Sequence, residues 1–197
     1  MNDFGWDTTW FLAVNTFAKA TPWLQPVMAG WANYGVLAFG ALLLAGYLLA
    51  RRDGRPESMA AALWAPIATL VAVGVNQPLV AVFHEARPYT QLPGILVLAH
   101  RTSDPSFPSD HATMAGAVVG GLLLVDRRLG VITALAAAVM AFSRVYIAAH
   151  YPHDVVVGLG VGLAVALGGW FAMRGALIRL TLWLAHSRVG HLLTGPP

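Results

Sequence analysis

Long apolar runs separated by short polar blocks dominate the hydropathy pattern of this chain. Five runs approach or exceed the roughly 20 residues that carry a helix across a bilayer core. They lie at about 27–50, 58–83, 109–125, 129–147 and 153–173. We predict one membrane-spanning helix over each run.

A shorter amphipathic pattern precedes the first long run. Trp10, Phe11, Val14 and Phe17 recur three or four residues apart within residues 7–20, which predicts a helix lying at the membrane interface. Acidic residues and no basic segment come before this helix, which argues against a cleaved signal peptide.

The C-terminal segment is ambiguous. From Arg174 onward, apolar residues alternate with Arg179, His186 and Arg188. This pattern fits either a sixth span or a helix lying along the membrane surface, and both interpretations stay open.

Composition strengthens the membrane interpretation. Of the 197 residues, 57% are hydrophobic and only 11% are charged, whereas soluble domains carry about 25% charged residues. We expect residues 1–197 to form one membrane-embedded domain, an all-α bundle of five to six helices. Because the chain has no cysteine, disulfides and thiolate metal sites are excluded.

The distribution of basic residues predicts the orientation of the bundle. Arginines follow the odd-numbered spans, at Arg51, Arg52, Arg55, Arg127, Arg128, Arg174 and Arg179. The positive-inside rule assigns these sites to the cytoplasm, so the loop 84–107 and the turn 148–153 are expected on the extracytoplasmic side. The net charge of +3 is scattered along the chain, and we expect no nucleic-acid partner.

Three polar clusters fall at the predicted extracytoplasmic ends of the spans. They are Glu85-Ala86-Arg87-Pro88, Phe107-Pro108-Ser109-Asp110-His111, and Ser143-Arg144 followed by His150 and Asp154. Arginines at two of these ends suit a phosphate, because a guanidinium binds phosphate oxygens in a bidentate manner. A serine at a helix start can add its hydroxyl and free backbone amides.

The histidines complete a catalytic hypothesis. His150 and Asp154 are four residues apart, so the carboxylate can accept a proton from one imidazole nitrogen and leave the other nucleophilic. His111 is available as a general acid. Taken one at a time, each of these polar residues could instead be an interfacial anchor or a helix cap. Placing ionisable groups near a membrane span costs free energy, so their presence together on one side of the membrane favours a functional site.

These runs resemble the motifs of the type 2 phosphatidic acid phosphatase (PAP2) superfamily. Ser-Arg-x5-His-x3-Asp at 143–154, Pro-Ser-x-His at 108–111 and Arg-Pro at 87–88 are similar to its three motifs. The resemblance implies a six-helix core shared with vanadium haloperoxidases, and activity without a metal or other cofactor. It also implies roles for individual positions: a nucleophile at His150, an orienting carboxylate at Asp154, a general acid at His111, and phosphate binding by Arg87, Ser109 and Arg144.

Two positions depart from the family pattern. Val80 stands where the first motif has a lysine, and Asp110 stands where glycine is usual. Both departures, with the His-Tyr-Pro-x-Asp run, are similar to bacterial undecaprenyl-diphosphate phosphatases of the bacitracin-resistance type. We expect Arg101 or another loop base to replace the lysine charge, and Glu85 to pair with Arg87 or Arg101. Glu85, Asp110 and Arg101 are therefore accessory candidates.

The resemblance implies a multi-pass enzyme of the bacterial cell membrane. Its expected reaction is hydrolysis of undecaprenyl diphosphate to the monophosphate, through a phosphohistidine, at the extracytoplasmic surface. Alternatives are another lipid phosphate as substrate (phosphatidate or phosphatidylglycerophosphate), or a non-enzymatic lipid-phosphate binder or transporter. A metal-dependent hydrolase is a further alternative, with metal ligands drawn from His84, His111, His150, His153 and Asp154.

Overall fold

The computed structural model describes residues 5–187 and 190–193, and these residues form helices and loops without β-strands. The helices are α1 (Gly5–Ala20), α2 (Gln25–Asp53), α3 (Pro56–Phe83), α4 (Pro88–Gln91), α5 (Asp110–Val125), α6 (Arg127–Tyr146), α7 (Pro152–Ala185) and α8 (Gly190–Leu193). Six of them have 16 residues or more. The predicted all-α class is confirmed.

Four helices are long and apolar enough to cross a membrane, namely α2, α3, α6 and α7. They coincide with four of the five predicted spans. The remaining predicted span, at 109–125, corresponds to α5, a shorter apolar helix of 16 residues. The chain is therefore a multi-pass membrane protein.

The prediction of a separate C-terminal element was wrong. Helix α7 runs without a break from Pro152 to Ala185, over 34 residues, which corresponds to about 51 Å of helix. No proline follows Pro152 within this helix, and Arg174 and Arg179 are exposed, so nothing forces the helix to stop at 173. Arg188 lies outside the described residues.

Helix α5 lies at the centre of the bundle, in contact with α3, α6 and α7. Its contact with α7 depends on glycine. A Cβ on Gly162 would lie 2.0 Å from the carbonyl oxygen of Thr113, and one on Gly116 would lie 2.2 Å from that of Leu159. Such backbone proximity admits only hydrogen at these two positions. The start of α5 is consequently held firmly against the start of α7.

Helix α1 packs on α6 and α7. Its buried face carries Asp7, Phe11, Asn15 and Ala18, and Phe11 contacts Tyr151 with ring centroids 5.3 Å apart. The predicted helix is confirmed, but its apolar residues do not share one face. Phe11 points into the bundle, whereas Trp10 and Phe17 are exposed.

The loop between α4 and α5 is tied to the turn 147–151 that joins α6 and α7. The backbone amides of Leu98 and Ala99 both donate to the carbonyl of Ile147. At the end of the loop, Ser106 N donates to Glu85 O at 2.7 Å, and Ser109 N donates to Asp154 O at 3.1 Å. These bonds bring the loop, the start of α5 and the α6–α7 turn together at one end of the bundle.

Candidate active site

A cavity of about 310 Å³ opens at this end of the bundle. Groups from all three polar clusters line it, among them Arg87, Asp110, His111, Arg144 and His150. The arginines beside the α2–α3 and α5–α6 connections lie at the opposite end, where Asp53, Arg55 and Asp126 share a second, smaller depression. The cavity that forms the candidate active site and the arginine-rich connections therefore lie at opposite ends of the bundle.

Arg87 precedes α4 and is buried, with 8% of its surface exposed. Its Nη1 donates to Ala149 O at 2.9 Å, its Nε to Asp104 O at 3.0 Å and its Nη2 to Asp104 Oδ2 at 2.6 Å. These acceptors hold the guanidinium plane against the cavity. Although burial raises the pKa of Asp104, hydrogen bonds from Thr102 and Arg87 outweigh it, and this pKa lies below the usual value.

His150 lies in the α6–α7 turn and is almost fully buried. Its Nδ1 donates to the carbonyl oxygen of Ser106 at 2.8 Å, while Asp154 Oδ2 is 3.5 Å away. Direct proton acceptance by Asp154, which the spacing of four residues predicted, is therefore not observed. With its proton on Nδ1, the imidazole keeps a free lone pair on Nε2.

The unprotonated ring nitrogen of His150, Nε2, faces both arginines. Arg87 Nη1 is 3.3 Å and Arg144 Nη2 is 3.4 Å from His150 Nε2. Burial lowers the pKa of His150 below its ordinary value of 6.5, the interaction with Asp154 opposes this, and the charge of Arg144 adds to the lowering. A neutral imidazole beside two cations is suited to attack a phosphorus atom whose oxygens those cations hold.

Asp154 holds the turn directly, and its Oδ2 also lies 3.5 Å from His150 Nδ1. Its Oδ2 accepts hydrogen bonds from Ser106 Oγ and from Tyr151 N, the latter at 2.8 Å. Ser106 therefore links the two groups, since its hydroxyl contacts Asp154 and its carbonyl contacts His150. Ala148, two residues before His150, has φ of +64°, a conformation that is unfavourable for a non-glycine residue and is imposed by the tight turn.

His111 and Asp110 lie in the first turn of α5, and both line the cavity. Asp110 Oδ1 accepts hydrogen bonds from Asn76 Nδ2 at 2.8 Å and from Gln77 Nε2 at 3.0 Å. Two amides on α3 thus fix Asp110 beside His111. The general-acid role of His111 stays a prediction.

Ser109 immediately precedes α5, but its side chain does not cap the helix. Its Oγ is buried, and among the described residues it has no hydrogen-bond partner. Ser109 is not among the residues that line the cavity. Phosphate binding by Ser109 stays a prediction, for which an unpartnered buried hydroxyl leaves a donor available.

Two accessory predictions need correction. Glu85 pairs with neither Arg87 nor Arg101, and its Oε2 lies 3.0 Å from His153 Nε2 instead. Asp104 occupies the expected position of Glu85 on Arg87. Arg101 stacks on the ring of Tyr89 and is not among the residues that line the cavity, so it does not replace the lysine charge missing at Val80.

Several functional candidates were missed by the sequence analysis, namely Asp7, Asn76, Asp104 and Ser106, and His153 was considered only as a possible metal ligand. Asn76 and Asp7 had a usable signal, because a polar residue within an apolar helix requires a partner. Ser106 had none, since its contact to His150 runs through a backbone carbonyl.

One cluster has side chains of the kind that bind metals. Glu85, His153 and Asp154 offer ligand atoms within 4.8 Å of one another. Both imidazole nitrogens of His153 are already within hydrogen-bond distance of carboxylates. The observed arrangement is that of an ion-paired histidine.

Fold and sequence together define the class of protein. Residues 61–177 match the PAP2 superfamily, and the chain belongs to this superfamily. It is an integral membrane phosphatase of lipid phosphates.

Individual relatives cover most of the chain. It is 29% identical to undecaprenyl-diphosphatase BcrC of Bacillus subtilis over 86% of this chain and 84% of the relative. It is 32% identical to a decaprenylphosphoryl-5-phosphoribose phosphatase of Mycobacterium tuberculosis, over 78% and 83%. The crystal structure of Aquifex aeolicus LpxE superposes with a TM-score of 0.66 at 21% identity, over 87% of this chain and 98% of that one, and shares the fold.

Proposed function

We propose that this protein hydrolyses undecaprenyl diphosphate to undecaprenyl phosphate and inorganic phosphate through a phosphohistidine at His150. The observation that carries the proposal is the position of His150 Nε2, which lies within 3.4 Å of a guanidinium nitrogen of both Arg87 and Arg144. The similarity to the undecaprenyl-diphosphatase of Bacillus subtilis over most of both chains supports the choice of substrate.

In the first step, the Nε2 lone pair of His150 attacks the terminal phosphorus, and an N–P bond forms. The bond from this phosphorus to the bridging oxygen breaks, and His111 donates a proton to the departing lipid monophosphate. Arg87 and Arg144 stabilise the charge on the transferring oxygens, which is the main protein contribution to phosphoryl transfer. The proton stays on Nδ1, which keeps donating its hydrogen bond to the Ser106 carbonyl.

In the second step, water attacks the phosphohistidine. His111, now neutral, accepts a proton from this water, the N–P bond breaks and inorganic phosphate leaves. These steps use only side chains of the protein and require no cofactor. We propose that the polyprenyl tail lies among the helices of a single membrane domain formed by residues 1–197.

The proposed location is the bacterial cell membrane, with the cavity on the extracytoplasmic side. Support comes from the arginines at the opposite end of the bundle, which the positive-inside rule places in the cytoplasm. Arg55 and the start of α6 at Arg127 mark that end.

The test is trapping of the intermediate in detergent. Brief incubation with substrate labelled in the terminal phosphate should give acid-labile, base-stable labelled protein in the wild type and none in His150→Ala. We expect His150→Ala to lower kcat about 10³-fold or more. Full turnover by this variant would refute the mechanism.

A substrate panel separates the alternatives. The Mycobacterium tuberculosis relative favours a second candidate, a polyprenyl-linked phosphomonoester. Phosphate release should be compared for undecaprenyl diphosphate, decaprenylphosphoryl-5-phosphoribose, phosphatidate and phosphatidylglycerophosphate, each with and without chelator. We expect the highest kcat/KM with undecaprenyl diphosphate and no effect of chelation. Preference for a glycerophospholipid would refute the proposed substrate but leave the chemistry intact.

A further inference from the structure

A second histidine, three residues after the proposed nucleophile and partly buried, contacts three carboxylates. His153 Nδ1 is 2.7 Å from Asp7 Oδ2, and His153 Nε2 is 3.0 Å from Glu85 Oε2 and 3.1 Å from Asp154 Oδ1. These carboxylates come from α1, the segment after α3, and α7. Neither catalytic step uses His153, Glu85 or Asp7.

The geometry around His153 favours one charge state of its imidazole. A neutral imidazole carries one N–H donor, whereas a carboxylate can only accept. Both ring nitrogens lie within hydrogen-bond distance of carboxylates, so the arrangement favours a doubly protonated ring, an imidazolium. Asp7 and Asp154 are 2% and 0% exposed, and buried carboxylates of this kind require a cationic partner.

Asp7 also holds the backbone at the start of α7. Its second oxygen, Oδ1, accepts a hydrogen bond from His153 N at 2.9 Å, an amide in the first turn of α7 that has no partner within that helix. Asp7 therefore caps α7 from another helix and pairs with the side chain of the same residue. Two bonds join α1 to one position of α7.

A continuous chain of contacts leads from this pair to the nucleophile. His153 pairs with one oxygen of Asp154, and the other oxygen of Asp154 accepts from Ser106 Oγ. The carbonyl of Ser106 accepts a hydrogen bond from Nδ1 of His150. A shift of His153 would move Asp154 and Ser106, and would turn the imidazole of His150 away from the phosphate position.

We propose that Asp7 and His153 are positioning residues for the phosphatase reaction, through which helix α1 sets the orientation of the His150 imidazole. The inference rests on the proposed role of His150 as nucleophile. Neither residue touches the phosphate. Their loss should therefore reduce kcat and leave KM nearly unchanged, because Arg87 and Arg144 keep their own contacts.

Three variants test the pair in the full-length protein in detergent: Asp7→Asn, His153→Gln and the double variant. We expect kcat to fall about 10- to 100-fold in each, the loss that follows from a misplaced reacting group, with KM changed less than about twofold. If Asp7 acts through His153, the double variant should be no slower than His153→Gln, because residues that act as one unit are not additive. The rate of phosphoenzyme formation should fall in parallel.

Asn15→Ala is the matched control. Asn15 lies on the same buried face of α1 and makes two hydrogen bonds to the backbone of Leu96, so its loss loosens α1 without touching His153. We expect a lower melting temperature and an unchanged kcat. A melting temperature for every variant separates misfolding from mispositioning, and Asp7→Asn keeps an acceptor if His153→Gln fails to fold.

The outcomes separate this inference from the proposed function. Absence of phosphoenzyme in the wild type would refute the nucleophile. Normal phosphoenzyme formation in Asp7→Asn and His153→Gln would refute the positioning role alone, as would an equal loss of kcat in Asn15→Ala. Loss of wild-type activity on chelation, restored by added Zn²⁺, would also overturn the inference, since Glu85, His153 and Asp154 would then be metal ligands.

Discussion

At the scale of single residues, the proposed mechanism depends on keeping His150 neutral between two arginines. Burial withdraws water from the imidazole, and the neighbouring positive charge penalises a second proton, so both effects lower the pKa of His150. The Ser106 carbonyl accepts a hydrogen bond from Nδ1–H, which leaves the lone pair on Nε2, the proposed reactive nitrogen. The proposed nucleophile should therefore stay unprotonated to a lower pH than an ordinary histidine.

The pH dependence of kcat/KM checks this electrostatic argument. Because the protonated form of His150 cannot attack, activity falls as the pH drops through its lowered pKa, and the acidic limb should lie below pH 6.5. Arg144→Gln removes a charge that lowers this pKa, so the limb should move upward by about one unit. It should also lower kcat/KM about 10²-fold or more.

Arg101→Gln is the control for the pH profile. Arg101 belongs to the same loop region, but it stacks on Tyr89 and does not line the cavity. The acidic limb of the Arg101→Gln pH profile should coincide with that of the wild type. An Arg144→Gln limb that did not move would show that this arginine does not act on the titrating group.

At the scale of helices, the close contact of α5 with α7 places the site. Helix α5 carries Asp110 and His111 at its start, and α7 carries Asp154 in its first turn. Glycines at the crossing allow the two backbones to touch, and Ser109 N donates to Asp154 O beside it. Separation of these helices would pull the proposed acid away from the proposed nucleophile.

Two glycines of α7 give a matched test of this contact. Gly162→Ala would place a Cβ 2.0 Å from Thr113 O, so we expect destabilisation of about 1–3 kcal/mol and reduced activity. Gly160→Ala meets nothing within 4 Å, and we expect it to be neutral or to stabilise by about 0.5–1 kcal/mol. Melting temperatures in detergent measure both effects. Equal melting temperatures would contradict the backbone contact.

At the scale of the whole molecule, the bundle has two chemically different ends. The cavity end gathers histidines, carboxylates and the two arginines that line it, while the other end carries arginines in short connections between helices. Helix α3, with 28 residues, spans about 42 Å between them. This separation underlies the proposed orientation in the membrane.

Because the chain contains no cysteine, single cysteines can report the orientation. Ser103→Cys marks the exposed loop at the cavity end, and Glu57→Cys marks the exposed start of α3 at the other end. In intact spheroplasts, a membrane-impermeant maleimide should label Ser103→Cys at once, and Glu57→Cys only after permeabilisation. The reverse pattern would place the cavity in the cytoplasm.

Much of this architecture follows from local sequence patterns. The apolar runs predicted α2, α3, α6 and α7, because crossing the hydrocarbon core depends on the length and hydropathy of one segment alone. The positions of Arg87, His111, Arg144 and His150 at one cavity follow from the same pattern, since alternating spans return their polar ends to the same side. The helix end expected near Arg174 is not observed, because a charged residue on an exposed helix surface does not end a helix.

The partners of the site residues were decided by tertiary structure. Ser106 lies 44 positions from His150, and Asp7 lies 146 positions from His153. A hydropathy pattern is one-dimensional and says which segments are helices, but the rotation and crossing of those helices decide which polar groups meet. A backbone carbonyl, the acceptor that orients His150, is common to every residue and therefore cannot be recognised from side-chain identity.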